Sequence, residues 1–136
     1  MKRNSRLSLA LHSLSHMARE PERLRKSADI AEHAGTNPVV VRRVLGNLRQ
    51  AGLLVSESGH SGGWRLARPP HEITLADVYL ALDERLAAPL VEDHAHGCSV
   101  EHVLLDRVSK VMAEVEQTLI QKLSETTILE IRDSAD

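Results

Sequence analysis

The sequence predicts a mainly α-helical fold with one small β-hairpin, and three observations carry that prediction. Apolar residues recur at helical spacing through most of the 136 residues. The period becomes extended only between Leu53 and Ala67, around a turn containing Gly59, Gly62 and Gly63. Towards the C-terminus, Leu104, Val108, Val111, Met112, Val115, Leu119 and Leu123 mark one long amphipathic helix. Together these read as a winged helix-turn-helix plus a long C-terminal dimerisation helix.

The first helix is expected from about Ser5 to Arg19, with Leu7, Leu11, Leu14 and Ala18 forming a core stripe and Met17 beside it. His12 and His16 lie four residues apart on the opposite face. That spacing could hold a metal, but a pair needs further ligands and none is close in sequence, so a solvated or phosphate-facing role is the simpler expectation. Glu20-Pro21-Glu22 ends the helix, and the basic run from Arg23 to Lys26 leads on.

Ser27 is expected to cap a short helix from Ala28 to Ala34, with Gly35 marking its end. Asn37 and Pro38 then supply an N-cap and a first helical residue. The helix that follows, to about Ala51, places Val41, Val44, Leu45 and Leu48 on one face. Arg42, Arg43, Asn47, Arg49 and Gln50 are left for water or a partner.

Leu53 to Glu57 reads as a strand, Ser58 to Gly63 as a flexible turn, and Trp64 to Ala67 as the returning strand. Glycines let the tip approach a phosphate or a minor groove, with Arg65 and Arg68 supplying charge beside it. Arg68-Pro69-Pro70 stops this wing. A structural helix is expected from Ile73 to about Asp83, with Thr74 and Asp77 as a capping box, Ile73 stapled to Val78, and Leu75, Val78, Tyr79 and Leu82 buried.

The long helix, from Val100 to about Thr126, spans about 40 Å at 1.5 Å per residue. Its apolar stripe exceeds what a small domain covers. Two copies packed together would bury it and set two recognition helices about 34 Å apart, one turn of DNA. Thr126 to Ile131 closes the chain, and Arg132 to Asp136 are expected to fray. The organisation expected is a DNA-binding region over residues 1–83, a sensor loop over 84–99 and a dimerisation helix and tail over 100–136, within one compact domain.

Charge agrees with that division. The net charge is -2, yet residues 1–70 hold 12 Lys/Arg against 5 Asp/Glu, whereas residues 71–136 hold 5 against 14. The asymmetry points to a nucleic-acid face on the first half. No apolar run reaches ~18 residues and no leader pattern opens the chain, so a cytoplasmic protein is expected. One cysteine excludes an intramolecular disulfide.

Gly62 to Pro70, followed by Ile73-Thr74-Leu75-Ala76-Asp77-Val78, resembles the signature of the Rrf-two family of bacterial transcription regulators, of the IscR, NsrR and CymR type. Leu9 to Ala18 and Leu48-Arg49-Gln50-Ala51-Gly52-Leu53-Leu54 are similar to that family as well. The resemblance implies a homodimer that binds double-stranded DNA at pseudo-palindromic operators, usually as a repressor. DNA contacts are then expected from Ser27, Asn37, Val39, Arg42, Arg43, Arg49, His60 and Arg65. Arg42 stands where the cluster-binding regulator carries an acid, so that member's operator does not transfer. An arginine there suits phosphate or guanine, the latter contact being worth ~1–3 kcal/mol when bidentate.

Cluster-binding members resembled here carry three cysteines before the long helix, whereas this loop leads to Cys98 alone. An iron–sulfur cluster is therefore not expected, because thiolates secure the iron. Nor does an acid precede Glu20 in the first helix, where nitric-oxide sensors can place a further ligand. Three readings of the loop stay open. Cys98, beside a helix N-terminus, could be a redox sensor. His94, His96, Cys98 and His102 could bind zinc or iron. The thiol could equally be inert. No nucleophile with an oriented base and no phosphate-cradling glycine loop suggests an enzyme. A winged helix that binds protein rather than DNA is the alternative class, distinguished by a weaker dependence on salt.

Overall fold

Asn37 begins the central helix by closing its first turn, its Oδ1 accepting the Val40 N–H at 3.0 Å, with Pro38 in the first helical position. The computed structural model describes residues 6–82 and 99–135. Its helices are α1 (Arg6–Met17), α2 (Ser27–Ala34), α3 (Pro38–Gln50), α4 (Leu75–Ala81), α5 (Ser99–Leu123) and α6 (Ile128–Ser134). Strands β1 (Leu54–Glu57) and β2 (Gly63–Leu66) lie between α3 and α4, and a 3-10 turn over Pro70–Glu72 precedes α4. The mainly helical fold with one hairpin is as the sequence predicts.

α2 ends where expected, at a left-handed Gly35 with φ 72°, and the Thr36 N–H returns to the Ala31 carbonyl at 2.9 Å. Its start differs from expectation. Lys26 is the N-cap and makes no side-chain cap bond, while Ser27 is already helical. The Ser27 hydroxyl instead accepts the Trp64 indole N–H at 2.9 Å, a partner 37 residues away.

Val41, Val44, Leu45 and Leu48 of α3 are fully buried. Around them pack Leu14, Met17 and Ala18, then Leu53, Leu54 and Leu66, then Ile73, Val78 and Ile128. Burial of each such aliphatic side chain stabilises by roughly 1.5–3 kcal/mol. β1 and β2 pair antiparallel with Leu54 opposite Leu66 and Ser56 opposite Trp64. Trp64 also pairs with Arg25 on its other edge, through backbone hydrogen bonds of 2.9 and 2.8 Å. A Cβ at Gly63 would stand 2.7 Å from the Arg25 carbonyl oxygen, so the glycine permits this close approach.

The capping box of α4 is present: Thr74 Oγ1 accepts the Asp77 N–H at 3.1 Å, and the Asp77 carboxylate accepts the Thr74 N–H at 3.0 Å. Arg68 bonds the same carboxylate at 3.1 Å. It therefore ties the base of the hairpin to α4, rather than lending its charge to the wing tip as its position in sequence suggested.

α5, with 25 residues, is about 37 Å long. Its C-terminal half is moored by the buried Glu116, which accepts the Tyr79 hydroxyl at 3.3 Å. The chain then returns to the body of the fold. Thr127 caps α6 and pairs with Thr74, and Ile128 N–H donates to the Ile73 carbonyl at 2.9 Å. Residues 132–134 do not fray: they are helical, and Arg132 donates to the Ala18 carbonyl at 3.0 Å. That partner lies 114 residues away and leaves no local trace in the sequence.

Ile128 is fully buried whereas Ile131 is 37% exposed. Ile128→Ala should lower the unfolding free energy by about 2–5 kcal/mol in a urea titration. Ile131→Ala should cost less than half of that loss.

Candidate nucleic-acid interface

With one side of α3 in the core, its other side faces solvent. Arg42, Arg43 and Arg49 are exposed, Asn37 is exposed at the cap, and Val39 is 59% exposed in the first turn. The helix contains no acidic residue. Among the described residues, no hydrogen bond or ion pair engages Arg42 or Arg43. Two cations and the positive end of a helix dipole, which favours anions, therefore share the exposed side of α3.

The wing is held to that face by side chains from three elements. Arg49 donates to the Ser56 hydroxyl at 2.9 Å and lies 5.5 Å from the Trp64 ring centroid. Trp64 in turn reaches Ser27 on α2. Lys26 Nζ donates to the His60 carbonyl at 2.5 Å, steadying the exposed tip on which His60 sits. Arg65 is half-buried and makes one long contact, 3.4 Å, to the Leu66 carbonyl. Ser27, Arg49, His60 and Arg65 thus surround one hairpin. Trp64 and Lys26, absent from the site expected on the sequence, hold it together with Arg49.

On α5, Leu104, Val108, Val111 and Val115 are 48–64% exposed together with Val100 and Val103. Met112, Leu119 and Leu123 are half-buried. His102 is exposed in the first turn of α5, whereas His94, His96 and Cys98 lie outside the described residues.

A different histidine group forms inside the described fold. His12 and His16 on α1 meet His33 from the last turn of α2, and the ligand atoms of all three lie within 4.8 Å of one another. His16 Nε2 and His33 Nε2 are 3.0 Å apart, and the ring centroids are separated by 4.3–5.2 Å. The sequence offered the α1 pair but no third ligand, because His33 is 17 residues beyond His16 and arrives only by helix packing.

Residues 3–134 match the Rrf2 family, described as iron-dependent transcriptional regulators. The chain is 31% identical over 136 residues to the transcriptional regulator IscR of Vibrio parahaemolyticus, covering 96% of this chain and 77% of that protein. It is 29% identical over 129 residues to YwnA of Bacillus subtilis, covering 94% of this chain and 95% of that one. The structure of CymR, the global cysteine regulator of B. subtilis, superposes with a TM-score of 0.66 at 22% identity, covering 100% and 99% of the two chains. Such low identity speaks to the fold alone. The family description names iron, but a chain with one cysteine lacks the thiolate set that holds an iron–sulfur cluster. Among the described residues no helix is long and apolar enough to cross a membrane.

Burial lowers the pKa of His12 below the ordinary 6.5, with His33 adding to the effect. Burial likewise lowers His16, followed by the repulsion of His12, His33, Arg19 and Arg25. The unfolded chain therefore takes up these protons first, so their contribution to stability is complete above 6.5 and falls as pH drops towards the folded values. The urea midpoint should hold above about pH 7 and decline below the ordinary histidine range. His16→Gln should flatten that decline; an unchanged slope would assign it to other groups.

Proposed function

The chain belongs to the Rrf2 family and is a DNA-binding transcription regulator, and on that premise we propose that it is a homodimeric repressor gripping a pseudo-palindromic operator with α3 and the wing. The observation that carries this reading is the acid-free exposed face of α3, with Arg42 and Arg43 free of ion pairs among the described residues. Phosphate contacts from such arginines supply affinity, and a bidentate contact to guanine supplies specificity. The exposed Val39 adds an apolar surface suited to a thymine methyl group. Asn37 orders the start of the helix, while Ser27, Arg49, His60 and Arg65 place the wing beside it.

The exposed stripe of α5 supports the dimer. Six large apolar side chains at helical spacing, from Val100 to Val115, are an unusual surface for a helix that acts alone. Packed against a second copy, the stripe joining Leu104, Val108, Val111, Met112, Val115, Leu119 and Leu123 would be covered. Two α3 helices would then face successive major grooves.

For the signal, the reading is redox chemistry at Cys98, supported by its being the single thiol of the chain, just ahead of Ser99 in sequence. The other reading, a metal loop from His94, His96, Cys98 and His102, has His102 exposed on the first turn of α5 in its favour. A change in operator affinity on peroxide treatment that is lost in Cys98→Ser selects the first reading. A change on adding Zn2+ that is lost in His102→Gln selects the second.

Fluorescence anisotropy on the protein's own upstream DNA should show binding that weakens steeply with salt. Arg42→Ala and Arg43→Ala should each weaken it by about 1 kcal/mol or more. Affinity within twofold of the parent for both variants would remove these arginines from the interface.

Glutamate at Val111 and Val115 together should convert the dimer to monomer in sedimentation velocity, since charges cannot be buried unpaired in an apolar seam. A dimer that survives would place the interface elsewhere.

A further inference from the structure

We propose that His12, His16 and His33 form a three-imidazole site for a divalent first-row transition ion, Zn2+ or Fe2+, clamping α1 to α2. The α1 pair is spaced by one helical turn, so both rings leave the same side of the helix. His33, from the last turn of α2, faces them. The ligand atoms all lie within 4.8 Å of each other, so small rotations of the side chains would bring them onto one ion. Zinc–nitrogen bonds of about 2.0–2.1 Å in tetrahedral geometry set neighbouring nitrogens about 3.3 Å apart. The His16–His33 separation of 3.0 Å is already near that value.

There is room for the ion and for a further ligand. A cavity of about 180 Å³ is lined by the three histidines together with Arg25, Asp29 and Ile30. Imidazole suits borderline ions such as Zn2+ and Fe2+ and disfavours Mg2+ and Ca2+, which take oxygen ligands. Three protein ligands leave a coordination position open. Asp29, one turn before His33, also lines the cavity, whereas the nearby Arg19 and Arg25 oppose a cation. The balance describes an exchangeable ion rather than a permanent structural one.

The position gives the ion a consequence. α2 is the first helix of the helix-turn-helix, and its packing sets α3, so fixing α2 on α1 would alter the presentation of Arg42 and Arg43. That coupling rests on the DNA-binding reading above; the site itself does not.

The test uses the full-length protein stripped of metal by chelation and titrated with Zn2+ by calorimetry and with Co2+ by visible absorption. The expected result is one ion per chain, with a nitrogen-type ligand-field band and no thiolate charge-transfer band. Binding should survive in the Cys98→Ser/His102→Gln double variant and weaken at least tenfold in both His33→Gln and His12→Gln, each checked for native helicity by circular dichroism. No binding by the parent protein overturns the site, as does binding that persists in both histidine variants and disappears in the double variant. The imidazole resonances of a folded variant series assign the ligands independently if one substitution unfolds the chain. Operator affinity is then measured with and without Zn2+. DNA binding by the metal-free protein keeps the regulator reading whatever the fate of the site, and a shift of threefold or more that His33→Gln abolishes establishes the coupling.

Discussion

Everything in the N-terminal half follows from the burial of one side of α3. A helix can give its apolar stripe to a core only once, and here Val41, Val44, Leu45 and Leu48 are given completely. Arg42 and Arg43 are thereby forced outwards, at positions set by the helical repeat rather than by any contact of their own. The rigidity of the packed side is what gives the exposed side a fixed shape. Contributions from α1, the hairpin, α4 and α6 to the same cluster mean that distant parts of the chain all orient one helix.

Beyond the core contacts of Leu54 and Leu66, the hairpin is attached by polar and backbone contacts. Arg25 pairs with the outer edge of β2, Trp64 spans to Ser27, and Arg49 links α3 to Ser56. Gly63 makes the first of these sterically permissible. Four arginines in this half do different work for reasons of geometry alone. Arg25 and Arg68 fasten the fold, Arg49 holds the wing, and Arg42 is free to meet a partner. A cation's role depends on whether an acceptor lies within reach, and the helical face on which it sits decides that.

α5 obeys a contrasting logic. Its C-terminal half is moored through Glu116 and Tyr79, and the chain beyond it is recaptured through Thr127 and Ile128. The other half carries its apolar stripe away from the core, where Val100, Val103 and Leu104 are each more than half exposed. Under the proposed dimer, the same helix that is anchored at one end offers an adhesive surface at the other. Spacing between the two α3 helices would then be governed by a helix remote from the DNA.

The sequence by itself determined the features that depend on neighbours within a turn or two. Asn37-Pro38 starts α3, Thr74 and Asp77 start α4, Gly35 ends α2, and periodicity divides core from surface. Such caps and stripes join residues three or four apart, so their chemistry is written locally. The family resemblance was legible for the same reason, being carried by contiguous segments around the wing and α4. Tertiary structure decided where the side chains with distant partners go. Ser27 binds Trp64 instead of capping α2, Arg68 binds Asp77 instead of lending its charge to the wing tip, and Arg132 holds Ala18 where a frayed tail was expected. His33 joins His12 and His16 by the same means. No local pattern encodes these meetings, because each requires two helices or a helix and a hairpin to have packed first.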